Sequence, residues 1–274
     1  MRTLQKTHGP VSIAYEMQGS GPLVVFLHGI GGNRTNWYGQ LDHFSDYFCT
    51  VTWDARGYGA SDDSPRTLKF SDYADDLAHV LDHVQAERAH LVGLSMGGMI
   101  LQDFSSRYAS RVATLTLADT SAGFGAASEE AKRDFLARRL DPLEKGQTPK
   151  DIAPGVVQVL ASQYATPAAR AQLLASLSAL RMEPYKQALH AIVTTDFRSL
   201  LSRIIAPTLV IVGNEDIVTP PAASEYLAKN IPGASLVRIP QSGHLTNIEK
   251  PEAFNAALRP FLERHAQRAT SVSQ

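Results

Sequence analysis

The sequence predicts an α/β fold: a mostly parallel sheet flanked by helices and interrupted by a helical insertion. Three features of the chain predict it. Continuous apolar runs of strand length, at residues 23–27, 91–94 and 209–212, alternate with stretches of helical periodicity, as in a sheet buried on both faces. Between about residues 121 and 203 no such run occurs, and helical stretches follow one another instead. Finally, Leu91-Val92-Gly93-Leu94-Ser95-Met96-Gly97-Gly98 passes from an apolar run straight into a helical pattern, so strand, tight turn and helix adjoin.

Composition bounds the class. The 274 residues, 44% hydrophobic and 19% charged, suffice for one large domain with an insertion. Basic (26) and acidic (27) residues are interspersed to a formal net charge of −1, which gives no field for nucleic acid or an anionic membrane. A small-molecule partner is expected, and nothing in the composition excludes a homo-oligomer. The single cysteine, Cys49, rules out an intrachain disulfide, and the first six residues carry no apolar signal run, so a cytoplasmic location is expected. No stretch approaches the roughly 20 apolar residues of a bilayer span.

Taken in order, residues 11–17 alternate like a half-buried strand, 19–22 read as a turn, and 23–27 as a buried strand ending in His28-Gly29-Ile30-Gly31-Gly32. Glycines after a strand let a loop backbone approach a ligand, which makes the Ile30 N–H a candidate oxyanion donor. His28 reads as structural. Residues 37–44 read as a short helix and 48–53 as a strand that closes in Asp54-Ala55-Arg56-Gly57-Tyr58-Gly59. Asp54 and Arg56 are expected to satisfy backbone groups of that loop and each other. A helix over 71–85 carries Tyr73, Leu77, Val80, Leu81 and Val84 on one side. Its His79 and His83 stand four apart, a spacing that can hold zinc, but no third ligand is near and a solvated helix face is the favoured reading.

After Ser95 come a helix with Ile100, Leu101, Phe104 and Tyr108 and a strand over 112–118. Helices are expected at 127–140, 154–164, 167–180 and 184–193, with prolines at their starts. The alternation resumes with a strand at 207–213, a helix at 222–230, a strand at 234–240 and a closing helix at 251–265. The expected organisation is a sheet domain of residues 1–120 and 204–266, a helical cap at 121–203 and a polar tail at 267–274.

Gly-x-Ser-x-Gly at a strand-to-helix turn is a nucleophile elbow: the serine sits in a strained conformation with its hydroxyl clear of the sheet. The Met96 N–H, at the helix N-terminus, is the second candidate oxyanion donor. A serine hydroxyl needs a neutral imidazole to take its proton, and the imidazole needs a carboxylate to fix its tautomer. Gly213-Asn214-Glu215-Asp216 and Gln241-Ser242-Gly243-His244 follow the last two strands and supply both, so Ser95, His244 and Asp216 are the candidate triad. No metal or cofactor is expected.

His28-Gly29, Asp54-x-Arg56-Gly57-x-Gly59, the Ser95 elbow, Gly213-x-x-Asp216 and Gly243-His244 together resemble the α/β-hydrolase family. The resemblance implies an eight-stranded, mostly parallel sheet with a helical cap over the strand ends. Relatives that open epoxides or haloalkanes carry aspartate as nucleophile, so Ser95 points to acyl transfer. Gly93-Leu94-Ser95-Met96-Gly97-Gly98-Met99, Ala118-Asp119-Thr120-Ser121-Ala122, Asp216-Ile217-Val218-Thr219-Pro220 and Gly243-His244-Leu245-Thr246-Asn247-Ile248-Glu249 look most like 3-oxoadipate enol-lactonases, departing at Asp119, where that group carries Asn. The implied function is hydrolysis of an ester or lactone. Two alternatives stand: a C–C bond hydrolase of meta-cleavage products, and a hydrolase-fold receptor with little turnover. If the resemblance extends to specificity, the substrate carries a carboxylate, and Arg133, Arg138, Arg139, Arg170 and Arg181 of the insertion are the cations from which a partner would come.

Overall fold

The computed structural model describes residues 2–273; Met1 and Gln274, at the outer ends of the expected core and tail, lie outside the described residues. The chain opens with strands β1 (Thr3–Lys6), β2 (Ala14–Gln18) and β3 (Ser20–Leu27), then helix α1 (Tyr38–Phe44) and β4 (Cys49–Trp53). α2 (Asp72–His83), β5 (Ala89–Leu94), α3 (Met96–Arg107) and β6 (Val112–Ala118) follow. Four helices come next: α4 (Glu129–Glu144), α5 (Pro149–Leu160), α6 (Pro167–Ser178) and α7 (Met182–Ile192). The chain closes with β7 (Thr208–Gly213), α8 (Pro221–Asn230), β8 (Ser235–Ile239), α9 (Thr246–Glu249), α10 (Pro251–Arg264) and β9 (Ser271–Ser273).

The sheet runs β1-β2-β4-β3-β5-β6-β7-β8, with β9 paired to the start of β3. From β4 to β8 every neighbouring pair is parallel; only β1, β2 and β9 pair antiparallel. Register brings Leu27 beside Gly93, Leu94 beside Ala118, Ala118 beside Ile211, and Gly213 beside Ile239, so the carboxyl ends of five strands share one edge. The chain steps from β3 outward to β4 and then returns to β5 on the other side of β3. The loops leaving β3 and β5 diverge there, and open α/β sheets bind ligands at such a switch point.

Period-2 side-chain alternation divides the core. Leu23, Val25 and Leu27 face the layer of Leu77, Leu81 and Phe104, while Val24 and Phe26 face Trp37, Phe44 and Phe254. Both faces are thereby dry. Of the four helices between β6 and β7, α5 and α6 put Val157, Leu173 and Leu177 into the second of these layers, whereas Leu140, Leu143, Tyr185 and Leu189 of α4 and α7 form a cluster of their own.

Several local expectations are corrected. The strand expected at 11–17 is β2, and Ile13 to Met17 are buried at every position rather than alternately, because Arg34 covers the outward Glu16. Thr-Leu-Gln-Lys of β1 is an exposed edge strand without an apolar run to announce it. The turn at 19–22 shrinks because β9, in the stretch read as a tail, gives Ser20, Gly21 and Pro22 a strand partner. Pro154 and Pro184 fall inside α5 and α7; α5 begins instead at Pro149, behind a Thr148–Asp151 capping box. Asp54 and Arg56 do not pair with each other. Asp54 takes Arg34 (2.6 Å) and the Ala60 N–H (2.8 Å), and Arg56 makes a two-pronged bond to Asp76 on α2 (2.6 Å each).

Candidate active site

β5 turns into α3 at Ser95, which has φ 54° and ψ −117°, a region that L-residues avoid. The surroundings hold it there: the Ser95 N–H donates to Ala118 O at 2.9 Å, and the Thr120 hydroxyl donates to Ser95 O at 2.7 Å. A Cβ at Gly93 would lie 2.5 Å from Gly97 C, and one at Gly97 would lie 2.3 Å from Leu27 O. Only glycines let helix and strands close on the turn. The Ser95 side chain does not cap its own helix, so its hydroxyl is free for another partner.

That partner is His244. Ser95 Oγ lies 2.9 Å from His244 Nε2, and His244 Nδ1 lies 2.9 Å from Asp216 Oδ2. Asp216 is itself immobilised: its Oδ1 accepts the Val218 and Thr219 N–H groups (2.8 and 3.0 Å) and its Oδ2 the Thr219 hydroxyl (2.8 Å). Burial works against the Asp216 carboxylate, yet the charge and hydrogen bond of His244 and the Thr219 donors hold it below the usual carboxylate range. Burial likewise opposes an imidazolium at His244, but the charge and hydrogen bond of Asp216, with Asp119 behind them, together raise His244 above its ordinary 6.5. Such a chain can draw the serine proton onto Nε2 and hold the resulting charge.

Asp119, the other carboxylate at these strand ends, has a different set of partners. Its Oδ1 accepts the Gly213 N–H (2.9 Å) and its Oδ2 the Thr246 N–H and hydroxyl (3.1 and 2.6 Å). Burial first, and then the neighbouring Asp216 charge, push it up to about 8. Among the described residues, the carboxylate in contact with the His244 ring is that of Asp216, whose Thr219 partner also brings its hydroxyl to 3.3 Å from Nδ1.

The loop after β3 passes over the elbow, since a Cβ on Gly29 would stand 3.1 Å from Ser95 Cβ. Ile30 lines the cavity beside it, and Met96 is the first residue of α3, where an N–H has no acceptor within the helix. His28 uses both ring nitrogens on backbone, Nδ1 on Gly29 O (2.8 Å) and Nε2 on the Ala55 N–H (3.1 Å). It is held in one tautomer as scaffold. His79 faces solvent, and His83 Nδ1 meets the Tyr15 hydroxyl at 2.7 Å.

Above Ser95 and His244 opens a cavity of about 540 Å³, roofed by α4 to α7 and lined largely by apolar side chains such as Phe135, Val156, Leu173, Leu177 and Leu245. That volume suits a small organic ligand.

A family model described as the alpha/beta hydrolase fold matches residues 22–251. The chain belongs to this family. This alpha/beta hydrolase is 29% identical over 249 residues to 3-oxoadipate enol-lactonase 2 of Acinetobacter baylyi, covering 90% of this chain and 91% of that one. It is 30% identical to a putative carbamate hydrolase, RutD, of Pantoea ananatis, covering 89% of each chain. Among solved structures, a thermophilic esterase from Thermogutta terrifontis superposes with a TM-score of 0.83 at 31% identity, over 97% of this chain and 99% of that one. The relatives are hydrolases with different substrates in their names.

In this alpha/beta hydrolase the five candidate arginines separate clearly. Arg181 is spent on Asp63 (2.6 Å) and the carbonyls of Gly59 and Ser61, and Arg170 on Ser162 O. Arg133 is exposed, and Arg138 is exposed at the cavity mouth. Arg139 is half-buried and lines the cavity, lying over the Phe135 ring at 3.8 Å and donating to Phe135 O at 3.0 Å. Among the described residues no carboxylate pairs with it, and burial lowers its guanidinium from the ordinary range. Periodicity could not single it out, because which side of α4 faces the cavity is set by packing against α7. Thr219 was also missed, although Asp216-x-Val218-Thr219 is the spacing at which an aspartate accepts N–H groups two and three residues on.

Proposed function

We propose that this alpha/beta hydrolase cleaves a carboxylic ester or lactone through an acyl-enzyme. Ser95 is the nucleophile, His244 the general base and then acid, and Asp216 the group that orients it; the Ile30 and Met96 N–H groups form the oxyanion hole. The observation that carries this is the continuous 2.9 Å and 2.9 Å contact from Ser95 Oγ through His244 to Asp216, opening on an apolar cavity. Attack by Ser95 Oγ on the carbonyl carbon passes the hydroxyl proton to Nε2, and collapse returns it to the leaving oxygen. Water then repeats the cycle on the acyl-serine. Residues 121–203 act as the cap that roofs the substrate, and the lone, buried Cys49 fits a reducing cytoplasmic setting.

Turnover of a panel of enol-lactones, aryl esters and dienone acids tests the assignment. Turnover confined to the dienone acids would make it a C–C hydrolase, and a burst of product equal to the enzyme with no further turnover would make it a binding protein.

The pH dependence follows from the site. A neutral His244 is needed for the first proton transfer, and Asp216 raises His244 above 6.5. Acidification should therefore extinguish kcat/KM with a midpoint above that value, and a profile flat down to about pH 4, below the reference for histidine, would remove His244 from the role.

Arg139 supports a substrate class within this reading. A half-buried guanidinium with no carboxylate partner among the described residues, facing a cavity lined largely by apolar side chains, is satisfied by an anionic ligand group. A carboxylate-bearing lactone should exceed its neutral methyl ester in kcat/KM by about thirtyfold, the equivalent of about 2 kcal/mol for leaving a buried ion unpaired. Arg139→Gln should abolish that preference while sparing the neutral ester. Equal values in the wild type would leave a general esterase with an apolar pocket.

A further inference from the structure

His244 is gripped from behind by the helical insertion. Its N–H donates to Leu160 O, at the end of α5, at 2.9 Å. The preceding residue, Gly243, donates its N–H to Glu249 Oε1 at 3.1 Å. The other oxygen, Glu249 Oε2, accepts the Ser162 N–H at 3.1 Å and the Ser162 hydroxyl at 2.6 Å. One carboxylate, only 4% exposed, thus ties the loop that carries the imidazole to the corner between α5 and α6. The contact is close enough to demand glycine: a Cβ on Gly243 would stand 2.7 Å from Ser162 N and 2.8 Å from Leu160 O.

Among the described residues no cation pairs with Glu249, whose acceptors are filled by two backbone N–H groups and one hydroxyl. These bonds belong to no helix or strand ladder. The corner is braced from its own side, where the Tyr164 N–H donates to Ser162 Oγ at 3.1 Å and the Arg170 guanidinium donates to Ser162 O. On the opposite flank Asp119 holds the Thr246 N–H. His244 therefore sits between two carboxylate clamps, and only the Glu249 clamp reaches into the insertion.

We propose that Glu249 is a positioning residue that couples the α5–α6 corner to His244, so that the imidazole is aligned on Ser95 only while that corner is docked. The role rests on His244 acting as the base. A misplacement of about 1 Å at a reacting group lowers rates by about a hundredfold, so loosening this clamp falls on kcat rather than on substrate binding.

The test compares Glu249→Gln, Ser162→Ala and the double variant with the wild type, normalising kcat to sites titrated with a fluorophosphonate. Glu249→Gln should lower kcat by about ten- to a hundredfold with KM within about threefold, the scale of a sub-ångström to ångström displacement. The acid-limb midpoint of kcat/KM should move down as His244 loses contact with Asp216, a shift that a loss of fold stability alone does not produce. Ser162→Ala should act in the same direction and less strongly, and the double variant should be no worse than Glu249→Gln, because both remove one coupling. Unchanged kcat and midpoint in Glu249→Gln, even with a lowered Tm, would overturn the role; if that variant does not fold, the same two readings on Ser162→Ala decide. A wild type that the fluorophosphonate does not label at Ser95 would overturn the site assignment and this role together, whereas a labelled, active wild type with an indifferent Glu249→Gln overturns this role alone.

Discussion

Replacing Ser95 by alanine should lower kcat by about a millionfold, the loss seen when the serine of a hydrolytic triad is removed, and should leave the fold intact. Among the described residues, the Ser95 hydroxyl is the group that hydrogen-bonds His244 Nε2, at 2.9 Å, and no second nucleophile shares that nitrogen. Alanine carries no greater backbone penalty than serine at φ 54°, and the N–H and carbonyl bonds that hold the turn are main-chain and survive the change. Thermal unfolding should therefore be close to wild type, and the protein should still bind an ester in the apolar cavity. The comparison is kcat on a common ester for both proteins, each checked for its melting transition. Retention of more than about a tenth of wild-type turnover would contradict the covalent route, since the triad benchmark is far larger.

What the chain discloses before folding is uneven, and the reasons are physical. The parallel core was legible because β3, β5, β6 and β7 are buried on both faces, and such strands announce themselves as continuous apolar runs. Ser95 and Asp216 were legible because each follows one of those runs. His244 follows the half-exposed β8, and the Gly243-His244 pair after that strand made it legible. β1 and β9 were not, since an exposed edge strand needs no apolar side chains and takes its partners through the backbone. The insertion's helix starts were misread from Pro154 and Pro184, whereas the capping box at Thr148 and Asp151 sets the start of α5. Arg139 was legible only as one of five arginines, and Glu249 and Ser162 were invisible for a deeper reason: they meet across 87 residues, and no local period encodes such a contact. Asp54 and Arg56 show the converse. Their scaffolding role was legible from the loop, but their partners Arg34 and Asp76 come from other elements.

Asp216→Asn should lower kcat by about ten-thousandfold, as the equivalent change does in a serine protease, while Asp119→Asn and Glu215→Gln should change it little. The hydrogen bonds explain the difference. Asp216 Oδ1 accepts two N–H groups, from Val218 and Thr219, so an asparagine there keeps its carbonyl on them and turns its NH₂ toward His244 Nδ1. Facing a donor, Nδ1 must accept; the ring proton then sits on Nε2, where it meets the Ser95 hydroxyl and can no longer take its proton. The loss is one of tautomer rather than of position. Asp119 faces no ring nitrogen, is pushed up to about 8 by burial and the Asp216 charge, and pairs with a Thr246 hydroxyl that can accept as readily as donate. An asparagine at 119 keeps the Gly213 bond and gives up only the 3.1 Å contact from the Thr246 N–H. Glu215 is exposed and points its charge to water. Steady-state kcat for the three single variants, with the acid limb of each profile, separates the cases: a large loss in Asp119→Asn beside a small one in Asp216→Asn would move the triad's acid from the end of β7 to the end of β6.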